Sequence, residues 1–213
     1  MRSLLLVGMF AAVAAAADYP FALLLRGSSA AAIDKEQAQK LQAGHMANIN
    51  RMAEQGKLMA AGPMAENGDL RGIFVFEPGP QEEAEKLAAE DPAIQAGRLR
   101  MEWMTWQTRP GIGASLNAAF RQDPKTKMTM KVHYLALLRK GDGWVPGASL
   151  SFAEGKYLAA GAVTGHAEIA AILVLNAASV EEAKVTVAAE PVVQSGRLKP
   201  DVRPWYVAAE VWQ

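Results

Sequence analysis

Two short stretches of the chain repeat each other: AAEDPAIQAGRL at residues 88–99 and VAAEPVVQSGRL at residues 187–198. Six of the twelve aligned residues are identical, and the stretches lie 99 positions apart. The acid changes between them, because Asp91 in the first stretch is replaced by Glu190 in the second. A repeated segment whose acidic residue differs between the two copies predicts a duplicated structural unit in which one chemical group has diverged.

The same offset recurs elsewhere in the chain. GKLMAAG at residues 56–62 matches GKYLAAG at residues 155–161, and Trp106 matches Trp205, again 99 positions apart. A constant offset across about 50 residues indicates an internal repeat.

Each copy is predicted to follow the order β-α-β-β-α-β. In the first copy a helix is expected over residues 33–55, with Asp34 as its cap and Gly56 as its end. Strands are expected at FALLLRG, LMAAG, IFVFE and RLRMEWMTWQ, and a second helix at PQEEAEKLAAED. The second copy shows the same order with a much shortened first helix.

This order is that of the ferredoxin-like unit, which leaves one face of its sheet uncovered. The fold class is therefore predicted as α+β, with two such units packed as an internal pseudo-dimer. The predicted domains are 18–107 and 128–213. Residues 108–127, rich in Gly, Pro and charge, are predicted to be a linker with room for one helical turn.

Composition narrows the function classes. The 213 residues contain 22 Lys plus Arg and 22 Asp plus Glu, a neutral balance that predicts no nucleic-acid partner. There is no Cys, so a disulfide framework, a thiolate nucleophile and a thiolate metal site are all excluded. No motif predicts a cofactor.

The N-terminal segment is predicted to be a signal peptide over residues 1–17. Arg2 precedes an apolar run from Leu4 to Ala17 that is too short for a comfortable membrane span and ends in small residues. The alternatives are a hydrophobic anchor or a first strand. The expectation is an exported protein, periplasmic or secreted, with no stable membrane span after cleavage.

These features resemble the YCII-related family. The resemblance is carried by QAGHMANINRMAEQGKL, by AAGP, by an acidic helix ending in E-D-P, and by a Gly followed by a final strand with Trp. It covers residues 20–107 well and 131–212 less well. It implies a ferredoxin-like fold that dimerises as an α/β barrel, and a His–Asp pair in a cleft with hydrolase- or dehalogenase-like chemistry. The pair falls on His45 and Asp91.

The residues themselves leave two interpretations of His45 open. It shares a helix face with Leu41, Ile49 and Met52, so it is either a core histidine or one half of an acid/base pair. Asp91 is predicted to end the second helix, where a carboxylate is disfavoured by the helix dipole, so it needs a partner. The D-P dipeptide alone explains the proline but not the acid.

The second copy contains no His between residues 140 and 155, and ungapped counting places Trp144 opposite His45. Glu190 is therefore expected to have nothing to pair with. This predicts a degenerate second copy that completes the barrel, with the only complete site in the first copy.

The other candidates are weaker. His133 and His166 are isolated from other ligand residues, so packing is the better interpretation. Met128 and Met130 near His133 suggest copper ligands, but in a strand the two methionines share one face and His133 points to the other. Two functions remain: an exported small-molecule enzyme of the hydrolase or lyase type, or a non-catalytic binding or structural module, present as a monomer with an internal pseudo-dimer or as a homodimer.

Overall fold

The computed structural model describes residues 15–123, 125–153 and 155–213. The fold is α+β, as predicted: within the described residues, eight strands form one antiparallel sheet, accompanied by six α-helices. The first fourteen residues, and with them most of the predicted signal peptide, lie outside the described residues.

The first part of the chain forms the elements expected from its sequence. They are β1 (Ala17–Arg26), α1 (Lys35–Glu54), β2 (Leu58–Pro63), β3 (Leu70–Phe76), α2 (Gln81–Ala89), α3 (Pro92–Gln95) and β4 (Leu99–Thr108). Asp34 caps α1 by accepting from the Gln37 amide at 2.8 Å, and Gly56 at φ +70° turns the chain out of the helix. The short helix α3 was not predicted.

The rest of the chain forms α4 (Ala114–Gln122), β5 (Met130–Lys140), β6 (Ala159–Thr164), β7 (Ile169–Leu175), α5 (Val180–Ala188), α6 (Pro191–Gln194), β8 (Leu198–Ala208) and a 3-10 helix (Ala209–Trp212). The shortened helix predicted between β5 and β6 is absent from the described residues there, which form turns and irregular backbone. The predicted linker holds α4, nine residues long instead of a single turn.

The strand order is β2-β3-β1-β4-β6-β7-β5-β8. The two outermost strands also approach each other: Met64 and Trp205 form a β-bridge, and the Ala65 amide donates to the Pro204 carbonyl at 2.9 Å. The indole Nε1 of Trp205 donates to the Gly62 carbonyl at 3.1 Å. These contacts join β2 to β8 at the ends of the strand order.

The sheet separates an inner core from two outer cores, because side chains alternate between the faces of a strand. In β1, Tyr19, Phe21 and Leu23 belong to the inner core, which also contains Trp106 and Trp205. Ala22 and Leu24 face the other way and pack with α1 and α2. The inner core thus holds the strands together, and the outer face of the first four strands is available to the helices.

Candidate functional site

Asp91 lies at the junction between α2 and α3. Its side chain is 0% exposed, and Oδ1 accepts from the Ala93 amide at 2.8 Å, which makes it the N-cap of α3. The prediction that Asp91 stands at the end of the second helix was incomplete: Asp91 follows the C-cap of α2, but it also begins α3, and the positive end of the α3 backbone stabilises its charge. Pro92 occupies the first position of α3, where its missing N–H costs nothing.

His45 contacts the other oxygen of the same carboxylate. Its Nδ1 lies 2.6 Å from Asp91 Oδ2, and its side chain is 12% exposed. The imidazole stacks on the Phe74 ring, with centroids 5.8 Å apart and planes inclined by 12°. The carboxylate and the aromatic ring together fix the orientation of the imidazole.

The pKa of the Asp91 carboxyl is lowered from its ordinary value. Burial alone would raise this pKa, but the hydrogen bond and positive charge of His45 and the Ala93 amide outweigh that effect. The Asn48 carboxamide also lowers the pKa of Asp91, although its Nδ2 makes no hydrogen bond of normal geometry with the described residues. Asp91 is thus held as a carboxylate.

His45 lines a cavity of about 940 Å³. The walls come from α1, from β1, β2 and β3, and from α4, and they are mainly apolar: Ile49, Leu58, Phe74, Leu116 and Phe120 are typical. Since Nδ1 is engaged by Asp91, Nε2 is the ring nitrogen left for a ligand, and it makes no hydrogen bond within the described part of the chain. The volume suits a drug-sized molecule.

The arrangement has the parts of a general acid/base site. A buried carboxylate bound to Nδ1 selects the tautomer with the proton on that nitrogen, and Nε2 is then the basic atom. The same carboxylate would stabilise the imidazolium once Nε2 has accepted a proton. The structure brings together the two residues that the sequence singled out.

Comparison with known families identifies a match in the first half of the chain. Residues 19–106 match the model of the YCII-related domain. The chain carries a YCII-related domain. No curated protein and no solved structure matches the chain significantly.

The YCII-related domain contains His45, Asp91 and Phe74, but it does not enclose the cavity alone. Leu116 and Phe120 of α4, Met128 and Met130 before and at the start of β5, and Val211 of the 3-10 helix complete the wall. The predicted linker is therefore part of the site. Sequence reasoning missed this, because an amphipathic nine-residue helix shows its partner only in the folded chain.

Glu190, which aligns with Asp91 at the offset of 99 residues, was expected to have no partner, but it has two. Its Oε1 lies 2.6 Å from Lys156 Nζ and 2.5 Å from the Tyr157 hydroxyl, which donates to it. Burial and the neighbouring carboxylate both raise the pKa of Tyr157, so the phenol stays protonated. The sequence showed that this part of the chain has no imidazole to pair with Glu190. It did not show that a lysine and a tyrosine would take that place.

The extra methylene of Glu190 explains the difference between the two acids. Glu190 stands at the N-cap of α6, yet its side chain makes no capping hydrogen bond with the described residues, whereas Asp91 caps α3. The longer side chain reaches past the helix end to Lys156 and Tyr157. Trp144, which was counted opposite His45, packs against the outer core beneath α5.

The remaining histidines make local contacts. His133 is 4% exposed and bonds through Nδ1 to Asn176 Oδ1 at 2.5 Å, and His166 Nδ1 accepts from the Ile169 amide at 2.9 Å. Among the described residues, no cluster of three or more His, Cys, Asp or Glu side chains could hold a metal ion. None of the helices described is long and apolar enough to cross a membrane.

Two supporting residues were missed by sequence reasoning. Asn48 lies three positions after His45, so helical spacing places both on neighbouring parts of one face, and this signal could have identified it. Phe74 lies in the IFVFE strand, where alternation predicts its face but not its stacking on the imidazole.

Proposed function

We propose that the YCII-related domain is a small-molecule enzyme of the hydrolase or dehalogenase-like type, with His45 as general acid/base and Asp91 as its partner. One observation carries the proposal: a fully buried carboxylate is bonded at 2.6 Å to an imidazole that lines a large cavity. Buried carboxylate–histidine pairs next to a cavity are candidate reaction centres on physical grounds.

In the proposed reaction His45 Nε2 removes a proton from water or from the substrate. It later returns the proton to an alkoxide leaving group, or releases it to solvent when the leaving group departs as a halide ion. Asp91 holds the Nδ1 proton in place and balances the positive charge of the imidazolium. Asp91 is a positioning residue, because its carboxylate contacts the imidazole and not the cavity. The chain has no Cys, so no thiolate intermediate is involved.

A second candidate is a binding module on the same scaffold, without turnover. The size and mainly apolar lining of the cavity favour it, since a site for retention needs burial more than it needs a base. The two candidates differ in one outcome: the binding module holds a ligand unchanged.

We also infer that the chain is an internal pseudo-dimer with a degenerate second unit. The first four strands follow the order β2-β3-β1-β4, and the corresponding strands of the second half follow the same order, β6-β7-β5-β8. The contacts between the halves are reciprocal: a Cβ on Gly62 would lie 1.9 Å from the Tyr206 carbonyl, and one on Gly161 would lie 1.9 Å from the Gln107 carbonyl. Light scattering should find a monomer if the second half replaces a partner subunit, and a homodimer if it does not.

Export is proposed from the sequence of residues 1–17. Cleavage near Ala16 or Ala17 would leave β1 almost whole, since its pairing with β4 begins at Ala17 opposite Thr108. Fractionation of expressing cells and mass measurement of the mature N-terminus test this proposal. A full-length protein retained in the cytoplasm would contradict it.

The proposed activity is tested by screening the mature chain against small esters, lactones and halogenated acids, with acid and halide release as the readouts. Turnover should fall by about a hundredfold or more in His45→Gln and in Asp91→Asn, the usual range for loss of a general base. Glu190→Gln is the matched control, because it changes the corresponding acid outside the cavity. Turnover that survives in His45→Gln would refute the assignment.

A further inference from the structure

The charges around the cavity are unequal. One carboxylate, that of Glu54, lines the cavity. Four cationic side chains also line it: Arg26, Arg71, Arg98 and Lys125. None of these five forms an ion pair with another described residue. An apolar cavity with a surplus of unpaired positive charge attracts an anionic ligand.

Arg98 is the most constrained of these cations. Its Nη1 donates to the Ala38 carbonyl of α1 at 2.5 Å, and its side chain is partly buried. Its backbone is held at both ends, since its amide donates to the Ala93 carbonyl at 2.9 Å and its carbonyl accepts from the Gly27 amide at 2.8 Å. The guanidinium is therefore positioned before any ligand arrives.

The anchoring bond leaves most of the guanidinium unused. Arg98 has five N–H donors, and its side chain makes one hydrogen bond with the described residues. A preorganised fork of donors matches the two oxygens of a carboxylate better than a mobile lysine does. The free donors of Arg98 can therefore bind a planar anionic group in the wall of a mainly apolar cavity.

The distance between Arg98 and the candidate base can be estimated along α1. Ala38 and His45 are seven residues apart, which corresponds to about 10 Å of helix. Both residues line the cavity, and so does Ile49 one turn beyond His45. A ligand that reaches both ends needs an apolar body several carbon atoms long.

We propose that the cavity binds an amphipathic carboxylate, with its carboxylate on Arg98 and its apolar body extending along α1 toward His45. Arg98 is a specificity-determining residue in this arrangement and takes no part in proton transfer. The inference deepens the proposed function by naming the substrate class of the same site. The carboxylate site can be tested by binding measurements alone, so the outcome does not depend on whether the protein is catalytically active.

The test compares acids with their neutral amides by isothermal titration calorimetry on the mature chain. The probes are phenylacetate, 4-phenylbutanoate and 6-phenylhexanoate, each paired with its primary amide. The wild-type chain should bind the longer acids at least about tenfold more tightly than their amides, as expected for a charge-assisted pair. The preference should shrink as salt is added, because the Arg98 side chain is only partly buried and its charge is therefore screened by ions.

Variants assign the preference to Arg98. Arg98→Gln should bind acid and amide equally, while Arg98→Lys should keep part of the preference and guards against a folding defect in the first variant. Arg100→Gln is the matched control: Arg100 is two residues away, pairs with Asp69 at 3.2 Å and is not among the residues lining the cavity. Its preference should equal that of the wild type.

His45→Gln separates this inference from the proposed activity. It should still prefer acids, whether or not the wild-type chain turns anything over. Equal wild-type affinity for acid and amide, or a preference unchanged in a folded Arg98→Gln protein, would overturn the assignment. A preference that depends on Arg98 without any turnover would support the carboxylate site and count against the enzyme.

Discussion

Gly62 lies directly against the main-chain carbonyl of Tyr206, where β2 meets β8. A Cβ at Gly62 would be 1.9 Å from that oxygen, a distance that no real contact reaches. Only glycine lets the two strands approach this closely. The contact joins the two ends of the strand order and lies beside the cavity, since Gly62 also lines it.

Gly62→Ala should therefore separate β2 from β8. We expect a loss of about 2–3 kcal/mol in the free energy of unfolding, measured by urea titration, because the backbone must move to admit the methyl group. Gly161→Ala should behave alike, as its Cβ would lie 1.9 Å from the Gln107 carbonyl. Gly79→Ala is the control, since no atom of the described residues lies within 4 Å of its Cβ position. A silent Gly62→Ala would mean that the strands do not pack this closely.

Asp91→Asn should reverse the tautomer of His45. The asparagine carbonyl would still be needed to accept from the Ala93 amide, so its NH2 group would face His45 Nδ1. Nδ1 would then become the acceptor and the proton would move to Nε2, which removes the basic atom from the cavity. Long-range 1H–15N spectra of the imidazole report which nitrogen carries the proton. The same tautomer in both proteins would contradict the pair.

Asp91 should also contribute to acid sensitivity. Its folded-state pKa is lowered below its ordinary value of 3.8, so the carboxylate stabilises the fold above that pH. This contribution is lost as the pH falls below 3.8 and through the folded-state pKa. When the free energy of unfolding is plotted against pH between about pH 5 and 2, the curve should be steeper for the wild type than for Asp91→Asn. Parallel curves would show that the charge of Asp91 is not stabilised by its surroundings.

Glu190→Ala should destabilise the second half without affecting the cavity. It leaves the partly buried Lys156 ammonium and the Tyr157 hydroxyl without their shared acceptor. We expect a loss of about 2 kcal/mol in the free energy of unfolding, in the range for an unsatisfied buried group. Tyr157→Phe removes one donor but leaves the acid bound to Lys156, so it should cost about 1 kcal/mol. Altered ligand binding in either variant would show that the two halves are coupled.

His133 should make stability decline at mildly acidic pH. Burial lowers its pKa below the ordinary 6.5, and Lys131 lowers it further, while the bond to Asn176 opposes both. The unfolded chain therefore takes up the proton first, and stability falls as the pH drops from 6.5 toward the folded-state pKa. As the pH is lowered from about 7 to 5, the midpoint temperature of thermal unfolding should fall less in His133→Gln than in the wild type. A wild-type resonance of His133 titrating at or above 6.5 would contradict this expectation.

The fold was largely predictable because its signals are local. Asp34 and Gly56 bound α1 through their own backbone chemistry, and the alternation in IFVFE follows from the two faces of a strand. The predicted order of strands and helices in the first part of the chain agrees with the structure, apart from α3. That helix is one turn long and has too few residues for any periodicity to register.

The candidate site was predictable only in part. His45 and Asp91 were singled out by resemblance and meet at 2.6 Å, but the capping role of Asp91 was hidden because α3 was not foreseen. The walls contributed by α4 were assigned to a linker. The cap is a local contact, but it belongs to a helix too short to be recognised in the sequence, whereas the α4 wall depends on contacts between segments far apart in the chain.

The amino-acid sequence by itself determined the order of the strands and longer helices in the first half of the chain, and the acid and the imidazole that this half carries. The tertiary structure alone decided which distant side chains each acid contacts. Asp91 is short enough to cap α3 while it meets an imidazole 46 residues earlier, and Glu190 is one methylene longer and reaches Lys156 and Tyr157 instead. A local pattern specifies an element because its hydrogen bonds are local, whereas a side chain finds its partner only after packing has brought distant elements together.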